Sequence, residues 1–78
     1  MTRLIDIKAG LTCVFVRTHG QGRERMQRLA DMGLLPGEPI KVLQNQGHGP
    51  VTIYIKGSRV ALGHGMSEFI EVEALKNE

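Results

Sequence analysis

A single cysteine, Cys13, rules out an intrachain disulfide, a Cys-rich zinc framework and a redox Cys pair, and it suits a reducing compartment. Tryptophan is absent, and the aromatics are Phe15, Tyr54 and Phe69 alone. Both Phe residues sit in apolar runs and are expected to be buried, which leaves Tyr54 to face a ligand. That is a poor platform for nucleic acid, where each stacked base is worth about 1 to 3 kcal/mol, and a poor groove for proline-rich peptides. No apolar run approaches the ~20 residues of a membrane helix, and the opening Met1-Thr2-Arg3-Leu4-Ile5-Asp6 meets an acid too early for a signal peptide. A cytoplasmic protein is expected. Charge of one sign is also scarce: ten Lys and Arg against eight Asp and Glu give a net +2 and a pI near 9.0, well short of a nucleic-acid-binding signature. The 78 residues are read as one domain over 1–78, with 75–78 a frayed tail; a domain of that size removes only about 60% of its unfolded surface from water.

Glycine, by contrast, is abundant. Ten of 78 residues is about twice ordinary usage, and without a collagen-like period it predicts many tight turns joining short strands. The centre of the pattern is Arg28 to Gly37. Upstream, Gln21 to Met32 repeats Met26, Leu29, Ala30 and Gly33 at three-and-four spacing, the face of one short amphipathic helix. Gly33 is placed to close that helix in a left-handed conformation, with Leu34 folding back onto the last turn. Pro36-Gly37 fits the two central positions of a type II turn, from which the chain leaves extended.

Leu4 to Gly10 reads as an irregular lead-in or edge segment anchored by Leu4 and Ile7. Leu11 to Thr18 is the first strand, with Cys13 and Phe15 on one face and Val14 and Val16 on the other. After the turn, Pro39 to Gln44 puts Ile40 and Val42 inward, and Val51, Ile53 and Ile55 alternate against Thr52, Tyr54 and Lys56 in a partner strand of the same hairpin. Gly57-Ser58 is taken as a two-residue hairpin turn leading to Val60-Ala61-Leu62. Met66 to Glu68 is one helical turn, and Phe69 to Glu73 is the last strand, with Ile70 and Val72 inward. The expected fold is mainly β: a small, partly open SH3-like barrel of about five strands with one short helix between the first two.

Chemistry-bearing clusters are missing. His19, His48, His64 and Cys13 make no Cys-x-x-Cys or helical His pair, so neither a metal site nor a cofactor is expected; the histidines read as turn residues and Cys13 as a small core residue. Asp6, Asp31 and Glu38 are scattered, Ser58 lies in a turn, and the Gly-rich pairs lack both a P-loop lysine and a βαβ setting. An enzyme is not expected. Arg23, Arg25 and Arg28 line one side of the helix, with Glu24 spaced to pair with Arg28 at i,i+4.

Leu4 with Lys8-Ala9-Gly10, Arg28-Leu29, Met32-Gly33-Leu34, Pro36-Gly37, Gly49-Pro50, Val60-Ala61-Leu62 and Ile70-Glu71-Val72 together resemble the FeoA family, small SH3-like proteins of ferrous iron uptake. Nearly the whole chain takes part, and Arg28 to Gly37 is the specific portion, with Leu29, Gly33, Leu34, Pro36 and Gly37 as its structural motif. The connector Asn45 to Pro50 departs from the family, which more often has an apolar, proline-rich segment there. The resemblance implies a cytosolic, non-enzymatic partner of FeoB, a ferrous iron transporter with a GTP-binding cytoplasmic domain, and it raises transition metal ion binding that the ligand spacing does not supply. Arg25, Arg28, Met32, Leu35 and Tyr54 are the candidate partner-binding residues. A nucleic-acid-binding small barrel and a free-standing relative of the C-terminal domain of metal-dependent repressors are the alternatives, and weak self-association is left open.

Overall fold

The structure, a computed structural model, describes residues 2–20 and 23–75. Its strands are β1 Thr2–Arg3, β2 Thr12–Thr18, β3 Pro39–Gln44, β4 Val51–Ile55, β5 Ser58–Leu62 and β6 Ile70–Ala74. Helix α1, Arg23–Asp31, lies between β2 and β3, and helix α2, His64–Glu68, precedes β6. The strands form one antiparallel sheet in the order β1-β6-β2-β3-β4-β5, so the fold is the mainly β, partly open barrel expected.

Strand alternation builds the interior. Cys13 and Phe15 of β2, Ile40 and Val42 of β3, Val51, Ile53 and Ile55 of β4, and Ile70 and Val72 of β6 all face inward and are buried. Leu4 and Ile7 close one side of the core as anticipated. The side chain of Asn45 holds that lead-in: its amide donates to the carbonyls of Ile5 and Ile7 at 2.8 and 2.9 Å, while its Oδ1 accepts the Gly47 N–H at 3.1 Å. Asn45→Ala should therefore cost about 1 to 3 kcal/mol, because two carbonyls lose their donor along with the turn bond. Urea denaturation checks this, and an unshifted midpoint would mean the lead-in needs no clamp.

The end of α1 is built by turn chemistry. Leu34 N–H donates to the Leu29 carbonyl at 2.8 Å and Gly33 N–H to the Ala30 carbonyl at 2.9 Å, with Gly33 at φ +91°. This is the double bond pattern of a Schellman motif, and the buried Leu29 and Leu34 supply its apolar partners. Gly37 has φ +93° and the Glu38 N–H donates to the Leu35 carbonyl at 2.9 Å, as a type II turn on Pro36-Gly37 requires. Gly33→Ala should destabilise by about 1 kcal/mol or more from backbone strain alone. The added Cβ would also stand 2.6 Å from Lys56 Cδ, so the lysine stem must move as well. A wild-type denaturation midpoint would contradict this assignment.

Several expectations are corrected. The sheet has six strands rather than about five, because Thr2–Arg3 pairs with β6 before a 3-10 turn at Leu4–Asp6. The β4–β5 turn is Lys56-Gly57, not Gly57-Ser58: Ile55 pairs with Ser58, and Lys56 and Gly57 have φ of +45° and +79°. A two-residue turn with both φ positive is the type I′ turn, which matches the sheet twist and takes glycine at its second position, whereas a Gly57-Ser58 turn would have been of type II′ with glycine first. Helix α1 ends at Asp31 rather than Met32. Met26, expected on the buried face, is 43% exposed and accepts a hydrogen bond from the Thr18 hydroxyl at its sulfur, 3.3 Å. Helix α2 is longer than Met66 to Glu68, and Phe69 caps it instead of starting the last strand, leaving the ring 38% exposed beside Gly20. The helix start at Gln21 and the tail Lys76 to Glu78 lie outside the described residues.

Candidate functional site

The turn that follows α1 is a rigid ledge. Phe15 N–H donates to the Glu38 carbonyl at 2.9 Å and Gly37 N–H to the Phe15 carbonyl at 2.8 Å, so the far end of the reversal is stitched to β2. Lys56 of the β4–β5 turn runs its stem over Gly33 and places its ammonium 3.0 Å from Glu38 Oε1, bracing the ledge from the other side. On this fixed backbone Leu34 points into the core at 1% exposure while Leu35, one residue later, is 51% exposed. Met32 is 37% exposed on the same reversal. Two apolar side chains thus stand in water on a braced turn.

Arg28 is exposed on the last turn of α1, and among the described residues no carboxylate pairs with it. The i,i+4 pair expected with Glu24 does not form. Gln27 and Asp31 instead make the hydrogen bond at that spacing, 2.9 Å. The side chain of Arg25 lies outside what the structure describes. Tyr54 is 47% exposed on the outward face of β4, with its hydroxyl near Gly57, so it belongs to the sheet side of the hairpin that Lys56 ties to the helix end. The structure thus brings Arg28, Met32 and Leu35 to one helix end and sets Tyr54 on the adjoining sheet. The Lys56–Glu38 brace was missed, since nothing in the local pattern of either segment announces a contact between them.

A second polar cluster lies across the barrel. The His19 ring N–H donates to Glu71, and the Arg17 guanidinium stands 3.7 Å from the same carboxylate. The His19 hydrogen bond, with Arg17 adding to it, holds the Glu71 carboxyl below its ordinary 4.5. A depressed carboxyl contributes stability that is complete above its unfolded value and is lost as pH falls through the folded one. Glu71→Gln should accordingly flatten the acid limb of a stability–pH curve below about pH 4.5, the ordinary value; unchanged acid limbs in the two proteins would refute the pairing. A shallow depression of about 540 Å³ adjoins this cluster, lined among others by Thr2, Arg17, Glu71 and Glu73. It presents no nucleophile with a base beside it.

Among the described residues no group of three His, Cys, Asp or Glu side chains is arranged to hold a metal ion. His19 is engaged with Glu71, and His64 Nε2 lies 3.6 Å from Glu68 on α2. Burial pushes the Cys13 thiol up to about 11, which keeps it protonated at neutral pH and unsuited to nucleophilic or metal chemistry. Among the described residues no helix is long and apolar enough to cross a membrane.

The model of the FeoA domain matches residues 2–74. The chain belongs to the FeoA family. It is 45% identical over 60 residues to a protein of Methanocaldococcus jannaschii described as an Fe(2+) transport protein A, covering 77% of this chain and 72% of that one. The crystal structure of an iron uptake regulatory protein, FeoA, superposes with a TM-score of 0.85 at 34% identity over 95% of this chain and 97% of the other. The zinc-complexed FeoA of Stenotrophomonas maltophilia, described as a procaryotic SH3 domain protein, shares the fold with a TM-score of 0.81 at 17% identity, over 94% of this chain and 91% of that one. The SH3-like architecture read from strand spacing is therefore that of the family.

Proposed function

We propose that this protein is a non-enzymatic, cytoplasmic interaction module of ferrous iron uptake that docks on the GTP-binding cytoplasmic part of a FeoB-like transporter. The observation that carries the reading is the braced ledge: Leu35 is 51% exposed at the start of a turn whose far end, Gly37-Glu38, is bonded to Phe15 at 2.8 and 2.9 Å. Exposing a leucine costs hydrophobic stabilisation that a core position would have supplied, and holding it rigid removes ordering entropy that would otherwise oppose association. Met32 extends the apolar contact, Arg28 supplies a neighbouring charge for steering, Tyr54 borders the surface, and Arg25 is kept as a candidate from the sequence alone. Among the described residues no three His, Cys, Asp or Glu side chains are grouped to hold a metal ion, and on this reading GTP and iron belong to the transporter.

The reading is tested by pull-down of the transporter's purified cytoplasmic domain on the immobilised protein, with and without guanine nucleotide. Retention that is lost when Met32 and Leu35 are both replaced by serine is the expected result. Failure of the wild-type protein to retain the domain in either nucleotide state would overturn it.

A further inference from the structure

We propose that the outward face of β3, β4 and β5 is a docking face for an extended acidic protein segment gripped by Lys41, Tyr54 and Arg59; the proposal deepens the interaction-module reading and rests on it for the owner of the segment. Strand pairing makes the site. Lys41 is opposite Tyr54 and Tyr54 opposite Arg59, so the three side chains form one row across three neighbouring strands, pointing away from the core that Ile40, Val42, Ile53 and Ile55 fill. All three are exposed, Tyr54 at 47%.

The row is electrostatically uncompensated. Arg3, Arg17 and Lys56 each have a carboxylate within 4 Å, but among the described residues Lys41 and Arg59 have none. Their surroundings on this face are Thr12, Pro39, Thr52 and Ala61, with no acid. Two free cations flanking an aromatic ring attract carboxylates while the phenol hydroxyl offers a further donor. Two strand spacings separate Lys41 from Arg59, roughly 10 Å, and three residues of extended chain cover about the same distance. Because only alternate side chains of an extended chain share a side, the complementary segment is a strand-like stretch with acids two or four residues apart, met by the long Lys41 and Arg59 side chains. A nucleic acid is disfavoured because it would meet one stacking ring and two cations, too little for its phosphates and bases.

The probe is decaglutamate, titrated into the isotope-labelled protein and followed by amide chemical shifts, with decalysine and oligothymidylate run in parallel. Saturable shifts centred on Lys41, Tyr54 and Arg59 are expected, with affinity reduced about tenfold or more in the Lys41→Glu/Arg59→Glu variant and an unchanged thermal melt. Shifts centred on the α1 end, affinity unaffected by charge reversal, or tighter binding of oligothymidylate to the same face would each overturn the proposal. The transporter's cytoplasmic domain then separates the two readings. If replacing Met32 and Leu35 abolishes binding while Lys41→Glu/Arg59→Glu binds like wild type, the acidic-segment proposal falls and the ledge stands. If decaglutamate behaves as expected but the wild-type protein does not bind the transporter domain, the partner assignment falls and the acidic-segment face stands.

Discussion

Leu29→Ala should lower the stability of this protein by about 2 to 5 kcal/mol, the range for deleting a buried leucine side chain. Leu29 is 1% exposed, and its carbonyl receives the Leu34 N–H at 2.8 Å, so the same residue plugs the core and anchors the reversal after α1. Its neighbours cannot refill the space easily, because Leu34 is fixed by that bond and Gly33 contributes no side chain. A domain of this size has a total stability of about 4 to 12 kcal/mol, so the substitution removes at least about a sixth of it and should lower the melting temperature by about ten degrees or more. Met26→Ala is the control on the same helix. With Met26 43% exposed, its replacement should stay within about 0.5 kcal/mol of wild type. A loss of less than about 1 kcal/mol for Leu29→Ala would show that α1 does not dock on the barrel in solution, and the ledge would lose its support with it.

The contrast between Leu29 and Met26 also marks what the sequence could and could not convey. Turn chemistry was legible because it is local: Gly33 and Pro36-Gly37 specify backbone conformations that other residues enter only at a cost, and their positive φ values follow. Strand interiors were legible for the same reason, since period-two alternation assigns each residue a side. The hairpin turn slipped by one residue because Gly57 fits either of two registers and only the pairing of Ile55 with Ser58 decides between them. Strand β1 has two residues and no period to read. Met26 fits the helical spacing, but a helix held at its last turn buries only what that turn touches. The remaining misses are contacts between distant segments: Lys56 with Glu38, Asn45 with the carbonyls of Ile5 and Ile7, and His19 with Glu71, 52 residues apart. No local pattern encodes such a partner. Exposure at the candidate site was similarly out of reach, because Leu34 and Leu35 are identical in kind and only the Schellman geometry sends one inward and the other out.

That difference makes Leu35 the most informative residue for function. Were Leu35 part of the core, Leu35→Ala would unfold the protein by about 2 to 5 kcal/mol and any binding defect would follow from unfolding. At 51% exposure the expected loss of stability is instead within about 0.5 kcal/mol, while dissociation from the transporter's cytoplasmic domain should accelerate about tenfold or more if Leu35 is an interfacial anchor. Arg28 should behave differently. It sits exposed on the last turn of α1 with no carboxylate pairing with it among the described residues, so Arg28→Gln should mainly slow association and flatten its dependence on salt, leaving dissociation nearly unchanged. Surface plasmon resonance at low and moderate ionic strength, run beside circular dichroism melts, separates the two effects. A Leu35→Ala protein that melts like wild type and also dissociates like wild type would remove the ledge from the interface. The contact would then have to lie on the Tyr54 face, where the Lys41 and Arg59 variants give an independent reading of the same complex.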